Sequence, residues 1–209
     1  MSQNTEKIRR LVMLAVLTAI VLLMAFTPLG YLKLPFLEIS FLMIPVVLGA
    51  ILLGPAAGAI LGAVFGLTSF FQCFGMSAFG TVLLGINPVL TFLVCVPTRI
   101  LAGWLSGVIF SAIFKAEEKR EKRHLISFGA ASLAGPILNT ILFTGTLTVF
   151  FYRTDYIQEL AGKLGAGNPF MFIILFVGIN AVIEAAVGFI VCSVISKAVF
   201  SATRKKRVS

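Results

Sequence analysis

Cys95-Val96-Pro97-Thr98-Arg99 places one guanidinium inside an otherwise uncharged run from Gly80 to Phe114. A guanidinium stays protonated in any protein environment. At the centre of a hydrocarbon layer it costs about 2.5–3.5 kcal/mol on insertion scales. Such a residue should face a bundle interior or a wet cavity and have a partner there. The only other charge within a long apolar run is Glu184. Asn180 lies four residues earlier and therefore shares its helix face. Asn139 and Asn87 add amides, which both donate and accept. Arg99, Asn87, Asn139, Asn180 and Glu184 are expected to converge on a site for a small solute. Two chemistries remain open at this point. One is a structural Arg99–Glu184 ion pair with interhelical amide hydrogen bonds, worth about 0.6 kcal/mol each on average. In the other, Glu184 orients Arg99 while a ligand carboxylate takes the free guanidinium edge.

The elements that must position these groups are membrane helices. Of the 209 residues, 59% are hydrophobic and 12% charged, and the mean hydropathy is +1.05. Soluble domains carry about 25% charged residues. A spanning helix needs roughly 20 apolar residues. The length leaves room for six spans and no separate soluble domain, so residues 1–209 read as one all-α integral membrane domain.

The spans fall in order. Leu11 to Phe26 follows a basic flank and reads as a retained first helix rather than a signal peptide, since no small-x-small cleavage site follows. Gly30 to Ser40 reads as an apolar outer loop. Phe41 to Leu53 is a short span, and Gly54-Pro55 turns the chain into Ala56 to Phe71. Gly58, Gly62 and Gly66 line one face there and favour close backbone approach. Gln72 to Ile86 reads as an irregular surface segment. Asn87-Pro88 starts the fourth span, with Asn as cap and Pro in the first turn, and Pro97 should kink it. The fifth span covers about Leu125 to Phe151, and the sixth about Pro169 to Phe200.

Basic residues orient the bundle. The N-terminus, the 115–124 run and the tail hold 3, 5 and 5 of the 17 Lys and Arg, against 1 and 2 in the 27–40 and 152–168 loops. Both termini should therefore be cytoplasmic. The basic clusters report topology and possible contact with anionic lipid; no nucleic-acid partner is expected.

Other chemistry finds little support. Cys73, Cys95 and Cys192 lie far apart in apolar surroundings and read as small buried hydrophobes. His124 has no ligand-spaced companion, so no metal or cofactor is expected. Glu117-Glu118 with Lys122 is a near miss to the EExxxR pattern of membrane CAAX-type proteases, but it falls in a solvated basic loop. There is no HExxH, GxSxG or phosphate loop, so no enzyme is expected. A channel or other permease would want a continuous polar lining, whereas polarity here gathers at one depth.

Taken in order, these features resemble the substrate-binding S component of energy-coupling factor (ECF) vitamin transporters. Ala15-Val16-Leu17-Thr18-Ala19 looks like the family's AxxxA docking motif. Leu53-Gly54-Pro55-Ala56-Ala57-Gly58 is similar to its second-to-third helix turn. Pro97-Thr98-Arg99-Ile100-Leu101-Ala102-Gly103 resembles its fourth-helix pattern, with Thr98 inserted where proline and arginine are often adjacent. Asn139-Thr140-Ile141-Leu142-Phe143 resembles its fifth helix. The resemblance implies a cell-membrane subunit that captures a vitamin from outside. It would deliver the vitamin through a transmembrane coupling (T) subunit, docked at Ala15 and Ala19, and two cytoplasmic ATPases. Pantothenate suits a buried arginine with amides. Riboflavin is the rival, with Phe36, Phe41, Phe70, Phe71, Phe74 and Phe79 as stacking partners.

Overall fold

The computed structural model describes residues 3–28, 30–34, 37–118, 125–175 and 189–190. In chain order these form α1 (Gln3–Ala25), β1 (Tyr31–Leu34), β2 (Leu37–Ser40), α2 (Met43–Leu53), α3 (Pro55–Gln72), α4 (Ala78–Ile86), α5 (Pro88–Glu118), α6 (Leu125–Phe151) and α7 (Asp155–Lys163). A further helix, α8, is described over residues 169–175. Among the described residues four helices, α1, α3, α5 and α6, are long and apolar enough to cross a membrane. The fold is helical, as its composition requires. Six spans and the side on which the termini lie remain expectations from hydropathy and charge.

The predicted second span is shorter than expected. α2 has 11 residues, which rise about 16 Å against roughly 30 Å of hydrocarbon. It is buried along most of its length, so it fills the bundle rather than facing lipid. Gly54 turns α2 into α3 with φ 98° and ψ 176°, a region essentially restricted to glycine. Pro55 then opens α3, where its missing N–H would have had no partner.

The segment expected to be an apolar loop and the one expected to be irregular both contain regular elements. In the first, β1 and β2 pair antiparallel, Tyr31 with Ser40 and Lys33 with Glu38. The Phe41 N–H donates to the Gly30 carbonyl at 2.9 Å and closes the base of the pair. The 72–86 segment contains α4. Its glycines argue against a helix by about 1 kcal/mol each. Ser77 offsets this as N-cap, accepting from the Gly80 N–H at 3.2 Å. At a membrane surface the backbone must also satisfy its own hydrogen bonds.

α1 buries a stripe at spacing four, Leu17, Val21 and Ala25. Ala15 and Ala19 lie on its exposed side, among exposed Leu11, Val12, Val16 and Leu23. The last carbonyls of a helix have no intrahelical donor. For α1, Gln72 at the end of α3 supplies one: its Nε2 donates to the Ala25 carbonyl at 2.5 Å, and Gln72 is buried. Gln72→Ala is expected to leave that carbonyl buried without a donor and to cost about 1–3 kcal/mol. A lowered midpoint of thermal unfolding in detergent checks it.

α3 and α5 pack closest, through the glycine stripe. A Cβ on Gly58 would strike the Gly103 carbonyl, one on Gly62 would strike the Arg99 carbonyl, and one on Gly66 would sit 2.8 Å from Val96 Cα. The inner core joins α1, α2, α3, α5 and α6 through residues such as Val21, Val46, Leu61, Phe65, Ala102 and Phe128. A second cluster closes the opposite end. There Leu83 of α4, Val94 of α5, Phe151 of α6, Ile157 of α7 and Phe172 of α8 pack together. Trp104 is 44% exposed and so lies on the lipid-facing side of α5.

Candidate functional site

Arg99 is 7% exposed. Pro97 has no N–H to return to the turn before it, which loosens α5 locally. One and two residues on, side chains bond back to the same turn: Thr98 Oγ1 donates to the Val94 carbonyl at 2.5 Å, and Arg99 Nη1 donates to the Cys95 carbonyl at 2.9 Å. The guanidinium carbon sits 4.7 Å from the centre of the Phe65 ring on α3 and 4.8 Å from that of Phe143 on α6. Two ring contacts of about 2 kcal/mol each when desolvated and a charged hydrogen bond of about 1.5–3 kcal/mol together exceed the insertion cost. Arg99 is thus held largely without a carboxylate. Among the described residues no Asp or Glu pairs with it. Glu184 and Asn180 lie outside the described residues, so the Arg99–Glu184 pair is not tested.

One guanidinium donor is left over. Nε is buried and has no hydrogen-bond partner among the described residues. On α6, Asn139 is 7% exposed and its Oδ1 is likewise buried without a partner. Asn139 lies one turn before Phe143 and shares its face. Gly135, another turn back, meets Ser106 of α5. Asn139 therefore lies between two of the levels at which α6 touches α5, about a turn from the Arg99 layer. The same two helices also bury Thr91 and Thr144.

Asn87 is elsewhere. Its Oδ1 accepts from the Val89 and Leu90 N–H groups, both at 3.1 Å, which makes it the N-cap of α5. It is half-buried and about 18 Å along the helix from Arg99, at about 1.5 Å per residue. The structure does not bring these two residues together. Asn168 repeats the device before Pro169, accepting from the Met171 N–H at 2.7 Å.

Phe65 and Phe143 were not among the expected site residues. A signal was available: Phe65 sits between Gly62 and Gly66 on the face that meets α5, and Phe143 is four residues from Asn139. Glu117 also differs from expectation. It is 5% exposed rather than solvated. Its Oε2 accepts from the Ser127 N–H at 3.0 Å, at the start of α6, where helices leave N–H groups without partners.

Long apolar helices around a buried polar layer mark a multi-pass membrane protein. The family described as ECF transporter, substrate-specific component, matches residues 9–196, and the chain belongs to that family. No curated protein sequence matches it. Family members are transporter subunits rather than enzymes, and membership implies a substrate together with T and ATPase partners.

Proposed function

We propose that this single-domain protein captures a small carboxylate-bearing vitamin, pantothenate first, at the outer face of the cell membrane. It passes the vitamin inward through a T subunit and two cytoplasmic ATPases. The carrying observation is a pair of unmet groups within about a helix turn of each other's level, a donor at Arg99 Nε and an acceptor at Asn139 Oδ1. A buried polar group without a partner costs about 1–3 kcal/mol. A ligand carboxylate accepting from Arg99 and a ligand hydroxyl or amide N–H donating to Asn139 would relieve both. Pantothenate offers all three groups. Phe65 and Phe143 wall the guanidinium and exclude water. Asn180 and Glu184 would complete the site from the last helix, with Glu184 orienting Arg99. Asn87 would serve at the outer mouth, through the amide nitrogen that its capping role leaves over.

Riboflavin is a second reading, favoured by aromatic rings at the outer end. Phe70 meets Phe74 at 5.5 Å and Phe92 at 5.3 Å, edge to face in both cases. Calorimetric titration of the purified chain with each vitamin separates the two. Tight one-to-one binding of pantothenate supports the proposal, binding of riboflavin alone replaces it, and binding of neither overturns both.

The exposed Ala15 and Ala19 are proposed to dock on the T subunit, where small side chains permit close helix contact. Ala15→Trp or Ala19→Trp should abolish co-purification with the T subunit and leave vitamin binding by the isolated chain unchanged. Loss of binding instead would mean that α1 shapes the site.

A further inference from the structure

Cys73 and Cys95 are 22 positions apart in sequence but neighbours in space. Both are reduced and buried, 3% and 4% exposed. They form one packed cluster with Val96. Cys73 caps the C-terminal end of α3, and its Sγ lies 3.3 Å from the Ser69 carbonyl. Gly66, on the same helix, lets α3 approach α5 at the level of Cys95 and Val96. On the other side, Gly80 of α4 packs against Cys73, so near that an added Cβ would lie 2.6 Å from Sγ. Cys95 in turn presents the carbonyl that accepts from Arg99 Nη1. The two thiols thus stand between the α3–α4 turn and the helix face that carries the guanidinium.

We propose that Cys73 and Cys95 form a reversible disulfide under peroxide, which locks the outer segment 73–87 against α5 beside the substrate layer. The basic residues put this end of the bundle outside, where disulfides persist. The chemistry balances. One thiol attacks a peroxide oxygen and becomes a sulfenic acid as water leaves. The second thiol attacks that sulfur, forms the S–S bond and releases a second water. Two electrons and the two thiol hydrogens pass to the peroxide, and a thiol reductant returns both cysteines. The functional consequence, slower entry and exit of substrate, rests on the site proposed above; formation of the bond does not.

The test uses the full chain with Cys192→Ser, in lipid nanodiscs, and needs no vitamin. Hydrogen peroxide should yield a product lacking two hydrogens, with the Cys73 and Cys95 peptides joined until reduced. Amide exchange across residues 73–87 should slow about tenfold in the linked form and recover with reductant, as expected when a local opening unit is held closed. A Cys73→Ser chain should show neither change. Separate oxidation of each thiol to sulfinic acid without a link would overturn the proposal. So would a link that leaves exchange in 73–87 unchanged.

Discussion

Arg99→Met is expected to weaken pantothenate binding at least about 30-fold, since truncating one partner of a buried charged pair costs about 2–5 kcal/mol. Calorimetry on the purified chain reads it. Methionine is unbranched and adaptable, so Phe65 and Phe143 keep a filler between them, and the loss reports the guanidinium rather than a collapsed core. Among the described residues no carboxylate loses its partner, so on those contacts alone the midpoint of thermal unfolding in detergent should fall by no more than a few degrees. A larger fall would report Glu184 as the partner of Arg99, since stripping one member of a buried pair costs about 3–5 kcal/mol. Arg99→Lys should bind almost as poorly. A lysine keeps the charge but lacks the planar fork and the buried Nε–H proposed to meet the ligand carboxylate. If Arg99→Met left both binding and stability unchanged, Arg99 would not belong to the site. If Arg99→Lys bound like the parent chain, a point charge would suffice and Nε would have no role.

Gly62→Leu should be the most damaging substitution of a single small residue. Its Cβ meets the Arg99 carbonyl and lies 3.2 Å from Ile100 Cα. These are backbone atoms, so no rotamer change relieves the clash. Overpacking of a well-filled core costs about 1–3 kcal/mol, and more where neighbours cannot move. The helices must separate, which carries Phe65 away from the guanidinium and exposes the Arg99 layer. Both the unfolding midpoint and vitamin affinity should fall together. Gly145 on α6 has no neighbour within 4 Å of an added Cβ. Gly145→Ala should leave both unchanged and may be run as the matched control. Equal behaviour of the two variants would show that the α3–α5 contact does not position the site.

The sequence by itself determined what depends on residues within a turn or two of one another. The Asn87-Pro88 start, the Gly54-Pro55 turn, the membrane character of α1, α3, α5 and α6 and the glycine face of α3 are all of that kind. Each is a local bond or a periodic pattern, so one stretch of chain contains its whole cause. The buried arginine was also legible, because an uncompensated charge in an apolar run must turn inward. Its partners were not. Phe65 and Phe143 reach Arg99 from two other helices, and their meeting depends on how far α3 and α6 are rotated and shifted against α5. Glycine contacts set that rotation, and hydrophobicity does not encode it. The same holds for Cys73 and Cys95, which sequence distance made look unrelated, and for Glu117, which looked solvated until α6 placed an N–H group above it. α4 and the β1–β2 pair escaped notice for a different reason. Glycines and mixed apolar residues hide their periodicity; strand pairing orders the second, and the Ser77 cap with packing on α3 and α5 orders α4. Composition thus decided which solvent the chain folds in, and helix packing decided which groups were left over for a ligand.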